Sequence, residues 1–267
     1  MTNHRIITSP FASIIAAMLL VSTASSANAF TVFTGNDVRS RDDNTDISRL
    51  SSTPNANAAS SNFLSNLIDP LTENFEGFAP GQVSSFSLNL GSAGTATFEG
   101  KGDIKNVPTG TSGDSFFPIS GNQFLLIGNR TDLPNVPGST FNSIAFSNPV
   151  AAIGFYATGL KNLLNQTFLE VTLTNGSIQE LIIPNASIFS TSALYFGVIA
   201  QDPSEQFTQV RFTTKNSRIS GLGLDELTVA SLDQVTKPTP VPEPLTVVGS
   251  FMAAGLGLVL RRKYKQA

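Results

Sequence analysis

Carboxylates are the acid/base groups that this 267-residue chain has in quantity, because it holds a single histidine, His4, and no cysteine. Without those side chains no Ser-His-Asp triad, Cys nucleophile or His/Cys zinc centre can be built downstream of residue 4. Glu76, Glu99, Asp103, Asp114, Asp225 and Glu226 sit in or beside apolar stretches. Two of them facing one cleft at roughly 5–10 Å would make a glycosidase pair. The chain carries no spacing motif of the kind that catalytic families supply, so a non-enzymatic protein is expected, with a carboxylate-based glycan-active enzyme as the alternative. Lectin-like sugar binding is the other alternative. With no Trp in the chain, its aromatic platform would be Phe116-Phe117, which follow a Gly-, Thr- and Asp-rich loop over 102–115. The competing reading of that pair is core at a strand entry.

Both ends of the chain carry addresses. His4 and Arg5 form a short n-region, Phe11 to Val21 an apolar h-region, and Ala27-Asn28-Ala29 an A-x-A cleavage site, so residues 1–29 read as a signal peptide and the exported protein begins at Phe30. At the other end Leu245 to Leu260 contains no charge, and Arg261, Arg262, Lys263 and Lys265 follow at once. A 16-residue helix is about 24 Å long, a minimal transmembrane helix against a hydrocarbon core of about 30 Å. Its basic tail, 261–267, stays cytoplasmic because Lys and Arg resist translocation. Ahead of it, in a Pro-rich linker over 234–244, Pro242-Glu243-Pro244 keeps an extended peptide at the membrane surface that a protease could read.

Of the 16 Lys/Arg and 19 Asp/Glu, 11 and 18 fall between residues 30 and 240, a net charge of −7. That disfavours nucleic acid, which needs clustered positive charge. An exported chain without cysteine has no disulfides, so its stability must come from a packed core or from bound ions.

The elements that would position these groups follow from periodicity. Residues 30–72 read as a flexible polar segment, with one short helix marked by Phe63, Leu64, Leu67 and Ile68 behind Ser60 and Ser61 as N-caps. From Glu73 the period becomes two. Strands are predicted at 83–90, 94–100, 122–127, 140–146, 150–158, 193–200, 207–214 and 222–230. The clearest pair is the hairpin 167–183, where Asn175-Gly176 between apolar runs predicts a two-residue turn with positive φ at both positions. About ten short strands without a long helix among them make an antiparallel β-sandwich over 73–233. Four Asn-x-Ser/Thr sequons, at Asn129, Asn165, Asn175 and Asn185, read as chance in an Asn-rich chain.

Pro242-Glu243-Pro244, the short apolar helix and the Arg261-Arg262 cluster together resemble the PEP-CTERM sorting signal. An ordinary single-pass anchor is the alternative reading of the same tail. The resemblance implies recognition by an intramembrane exosortase, removal of the tail, and delivery to the surface or exopolysaccharide matrix of Gram-negative bacteria. Residues 75–81 (FEGFAPG), 146–155 and 224–228 (LDELT) are similar to the opening, middle and closing strands of the jelly-roll-like domain common in PEP-CTERM proteins. Such domains are similar in shape to carbohydrate-binding modules, whose first and last strands often share a calcium site; the resemblance places that structural calcium at Glu76 and Asp225.

Overall fold

The period-two stretches become strands whose pairing is antiparallel throughout. The structure, a computed structural model, describes residues 30–38, 49–83, 85–100, 102–108, 116–128, 139–160, 167–184, 191–214 and 221–236. In chain order its elements are β1 (Phe30–Val38), α1 (Pro54–Leu64), β2 (Leu71–Glu73), β3 (Phe86–Asn89), β4 (Thr95–Gly100), β5 (Gly102–Asn106) and β6 (Gln123–Ile127). Then follow β7 (Ser139–Val150), β8 (Ala152–Thr158), β9 (Thr167–Leu173), β10 (Ile178–Ile183), β11 (Ser192–Ala200), β12 (Phe207–Thr214) and β13 (Leu222–Ala230). One sheet runs β1-β11-β8-β13-β6-β5, with β2 paired to the far half of β13; the other runs β10-β9-β12-β7-β4-β3.

Phenylalanine joins the two layers. Phe155 of β8 meets Phe212 of β12 edge-on at 5.4 Å and Phe30 of β1 meets Phe207 of β12 at 6.2 Å, while within one sheet Phe86 of β3 stacks on Phe98 of β4 at 4.7 Å. Each such ring removed from water contributes roughly 1.5–3 kcal/mol.

β8 and β11 are buried at every position because both their faces are covered. Ile153, Phe155 and Ala157 of β8, with Leu194, Phe196 and Val198 of β11, face the other sheet. Tyr156, Tyr195 and Ile199 pack under Ala56, Ala59 and Phe63 of α1. Gly154 and Gly197 stand directly opposite one another and form the hollow in which the Phe63 ring lies. A Cβ added at Gly154 or Gly197 would come within 2.8 Å or 2.7 Å of that ring.

Four expectations need correction. Residues 30–38 are not part of a flexible spacer: β1 pairs along its whole length with β11, from Phe30 opposite Ala200 to Val38 opposite Ser192, so the sandwich begins at Phe30 and not at 73. The helix starts earlier, at Pro54, and Ser60 and Ser61 lie inside it. Its cap is remote in sequence: Asp37 of β1 accepts hydrogen bonds from the backbone amides of Asn55 (3.2 Å) and Ala56 (2.8 Å), while Pro54 at the first position has no donor to satisfy. The hairpin at Asn175-Gly176 is present, but of these two only Gly176 has positive φ, +83°. Gly176 N–H donates to the Leu173 carbonyl at 2.9 Å and Leu173 N–H to the Ser177 carbonyl at 2.8 Å, which closes a three-residue loop. Finally, the stretch expected as a loop from 102 begins with strand β5, and β2 adds a short strand before residue 73.

The predicted signal peptide, Asp114, the Pro242-Glu243-Pro244 motif, the span 245–260 and Arg261-Arg262 lie outside the described residues. Among the described residues no helix is long and apolar enough to cross a membrane.

Candidate functional site

The site forms where β13 changes neighbours. Leu222–Leu224 pair with β6, Leu227–Val229 pair with β2, and between them the register against β8 shifts at Asp225. Glu226 takes φ +50° there, a left-handed conformation uncommon for a non-glycine residue and typical of a bulge that re-aims a side chain. Between the stretch paired with β6 and the stretch paired with β2, the Asp225 carboxyl turns onto the segment that precedes β6.

Asp225 is 1% exposed. Its Oδ2 accepts from the amides of Ile119 (2.7 Å) and Ser120 (3.0 Å), and its Oδ1 from the amide of Glu226 (2.8 Å). Burial pushes its pKa up to about 7, and the three N–H bonds oppose that rise without cancelling it. Glu76 works on the same segment from the other side: its Oε1 accepts from the amides of Asn122 (2.7 Å) and Gln123 (2.6 Å). Arg49 supplies the third hold, donating from Nη1 to the Gly121 carbonyl at 3.0 Å and from Nη2 to the Val107 carbonyl. Partial burial lowers the guanidinium pKa, and the nearby charges of Asp225 and Glu76 partly restore it. Three charged side chains from three distant parts of the chain thus satisfy backbone groups along residues 119–123. Since a buried unpaired backbone group costs about 1–3 kcal/mol, this arrangement replaces the missing strand ladder.

Glu76 is delivered by a strained backbone. Phe75 has φ +62°, costly for a bulky residue. It is held there by burial against Phe78 and Phe98 at 6.2 and 6.4 Å and by its amide bonding to Glu73 Oε1 at 2.6 Å.

Ile119, where the segment 119–123 begins, lines with Phe117 and Pro118 one side of a cleft of about 510 Å³ whose other lining residues are 49–54 and Asn57, within the range of small-ligand sites. Asn57 is oriented inside it, its Oδ1 accepting from the Tyr156 hydroxyl (2.9 Å) and the Thr53 hydroxyl (3.0 Å).

Glu76 and Asp225 therefore meet at one segment, yet they do not fit a calcium ion. Five backbone N–H groups point at three of their oxygens, and a guanidinium stands beside them, where a cation needs a shell of six to eight oxygens. Among the described residues no three His, Cys, Asp or Glu side chains converge to hold a metal. Phe117 is 4% exposed and hydrogen-bonded through its backbone to the Thr158 hydroxyl, so it is core, as the competing reading had it. The Phe116 ring is half-buried against Gly159. Glu99 is exposed on β4, Asp103 pairs with Lys105 at 2.6 Å, and Glu226 is half-buried at the bulge. Sequence reasoning missed Arg49, Asp37, the strip 50–54 and Asn57, all within the stretch read as flexible. The signal available was Thr53-Pro54, a cap-type residue followed by Pro at a first helical position.

No protein-family model and no curated protein matches the chain. Among solved structures it overlaps the C-terminal family 22 carbohydrate binding module of Clostridium thermocellum Xyn10B, with 15% identity, TM-score 0.35, and coverage of 62% of this chain and 94% of that one. A second overlap is with the K2 cleaved adhesin domain of Lys-gingipain, with 12% identity, TM-score 0.36, and coverage of 61% and 98%. Overlaps of this size carry no function across, and the sandwich described above stands on this chain's own strand pairing.

Proposed function

We propose that the chain is an exported, non-catalytic binding module of the cell surface or extracellular matrix, and that it holds an exopolysaccharide in the cleft between residues 49–57 and 117–119. The observation that carries this reading is the construction of the cleft. Asp225 holds the Ile119 amide of one wall, and Arg49, itself a lining residue, is tied to the Gly121 and Val107 carbonyls, which is how a preformed binding site avoids losing affinity to the ordering of its own loops. Binding is favoured over catalysis at Asp225, because this carboxyl with the raised pKa is turned inward with both oxygens engaged by amides. Sorting by an exosortase, with the helix at 245–260 as a membrane-held intermediate, belongs to this proposal through the Pro242-Glu243-Pro244 tail. Calorimetric titration of the chain with a panel of oligosaccharides tests it. Saturable binding that weakens about tenfold or more in Asn57→Ala is expected, and absence of binding across the panel contradicts the reading.

A further inference from the structure

Rows of paired residues mark the two poles of the sheet that carries α1. At one pole Phe30 stands opposite Ala200 and Ala152 opposite Ala230, and Ala151 joins these strands, its amide donating to the Ala230 carbonyl at 2.9 Å and its carbonyl accepting from the Ala200 amide at 2.7 Å. At the other pole the row is Asp37, Ala193, Thr158 and Gly223. Along β1 the rows lie about 23 Å apart at the rise of a strand. The chain leaves the sandwich at the first pole. After Ala230 it turns through Leu232–Gln234, Val235 bridges to Leu67, and the Thr236 amide and hydroxyl donate to the Asn66 carbonyl at 2.9 and 2.8 Å. The cleft lies toward the second pole. There Phe117 exchanges hydrogen bonds with the Thr158 hydroxyl, and residues 49–54 lead into α1, whose first amides are held by Asp37. α1 spans the distance between cleft and exit: its 11 residues cover about 16 Å, and the turn after Leu64 reaches Asn66.

Beyond Thr236 the sequence has proline at 238, 240, 242 and 244, and each one fixes its own φ and disfavours helix at the residue before it. Such alternation favours an extended, semi-rigid spacer of at most about 3.1 Å per residue, so residues 237–244 give a tether of no more than about 25 Å ahead of the uncharged run 245–260. A tether of that length keeps its own pole near the surface it is anchored to, and for the cleft to face that surface the sandwich would have to fold back over its own linker. We infer that, while the run 245–260 holds the chain in a bilayer, the pole with Phe30 and Thr236 faces the membrane and the cleft is presented away from it, so that the anchored chain offers its cleft to polysaccharide before any removal of the tail. This orientation rests on the delivery reading above. Tail removal then releases a module already competent to bind and is not the step that switches binding on.

The chain has no cysteine, so a single introduced cysteine gives a unique label on the full-length chain reconstituted into lipid nanodiscs. Val32→Cys and Val38→Cys sit on the same strand with equal exposure, 46% each. With a fluorescent donor on the cysteine and an acceptor on the lipid headgroups, the separation of about 20 Å along β1 should make energy transfer at least about twofold stronger from position 32 than from position 38. Ser52→Cys, at an exposed lining residue of the cleft, reports access: a bulky polyethylene glycol maleimide should react with it as fast in nanodiscs as in detergent. Equal transfer from the two positions, stronger transfer from position 38, or loss of Ser52→Cys labelling in nanodiscs overturns the inference and leaves glycan binding and tail recognition standing. Failure of the chain to enter nanodiscs removes the anchor and overturns the delivery reading and this inference together.

Discussion

Asp225 links the chemistry of the site to a measurable pH dependence. Its folded-state pKa lies near 7, above the ordinary value of 3.8, so folding favours its protonated form. Stability from this group is fully present below about pH 4 and is lost as pH rises through about 7. At about 1.4 kcal/mol per unit the loss amounts to a few kcal/mol at most. Urea denaturation between pH 4 and 8 should show wild type losing stability relative to Asp225→Asn, whose neutral amide does not titrate. Parallel pH profiles for the two proteins would show that the carboxyl does not titrate in this window. At this scale the sequence was half legible. The resemblance paired Glu76 with Asp225, and both do reach the segment 119–123. Their partners are amides instead of a cation because the pairing of β13 with β6 ends at Leu224, which leaves residues 119–123 without β13 beside them, and nothing local in the sequence reveals which strand loses which neighbour. Asp37 and Arg49 looked like stray charges in a polar stretch for the same reason.

Phe63 enters the hollow made by Gly154 and Gly197, so Gly197→Ala should force the ring away and lower stability by about 1–3 kcal/mol. Phe63→Ala should cost about 3–5 kcal/mol by leaving the hollow empty. Denaturant midpoints check both, and a neutral Gly197→Ala would mean that the helix rides above the sheet without entering it. Gly176→Val, at φ +83° with open space around it, isolates the backbone effect and should cost on the order of 1–3 kcal/mol; an unchanged melting temperature would count against that conformation. The hairpin was legible because Asn-Gly between alternating runs is a local signal. Its turn type was not, since loop length depends on which residues pair across it. β1 was hidden by its composition: with Thr31, Gly35 and Asn36 it reads as polar, yet only its ends, Phe30 and Asp37, need burial once β11 and α1 cover it.

For the whole molecule, the count of short period-two runs was enough to reach an antiparallel sandwich, while strand order was not, because it is set by contacts between residues far apart in the chain. β13 shows the difficulty: its first half pairs with β6 and its second with β2, and the cleft exists because of that change. The proposed delivery rests on the ends of the chain. Replacing Pro242-Glu243-Pro244 by three alanines should leave full-length protein in the inner membrane, since the apolar run 245–260 is untouched while the peptide to be read is lost; equal surface delivery of mutant and wild type would reduce the tail to a plain anchor. Whether the cleft is where the molecule meets its ligand is best settled by mapping amide chemical shifts of the isotope-labelled chain during titration with an oligosaccharide. Shifts concentrated at Ser51, Ser52, Asn57, Phe117 and Ile119 are predicted. Shifts that spare these residues and fall instead on the outer face of β9, β12 and β7 would contradict the assignment.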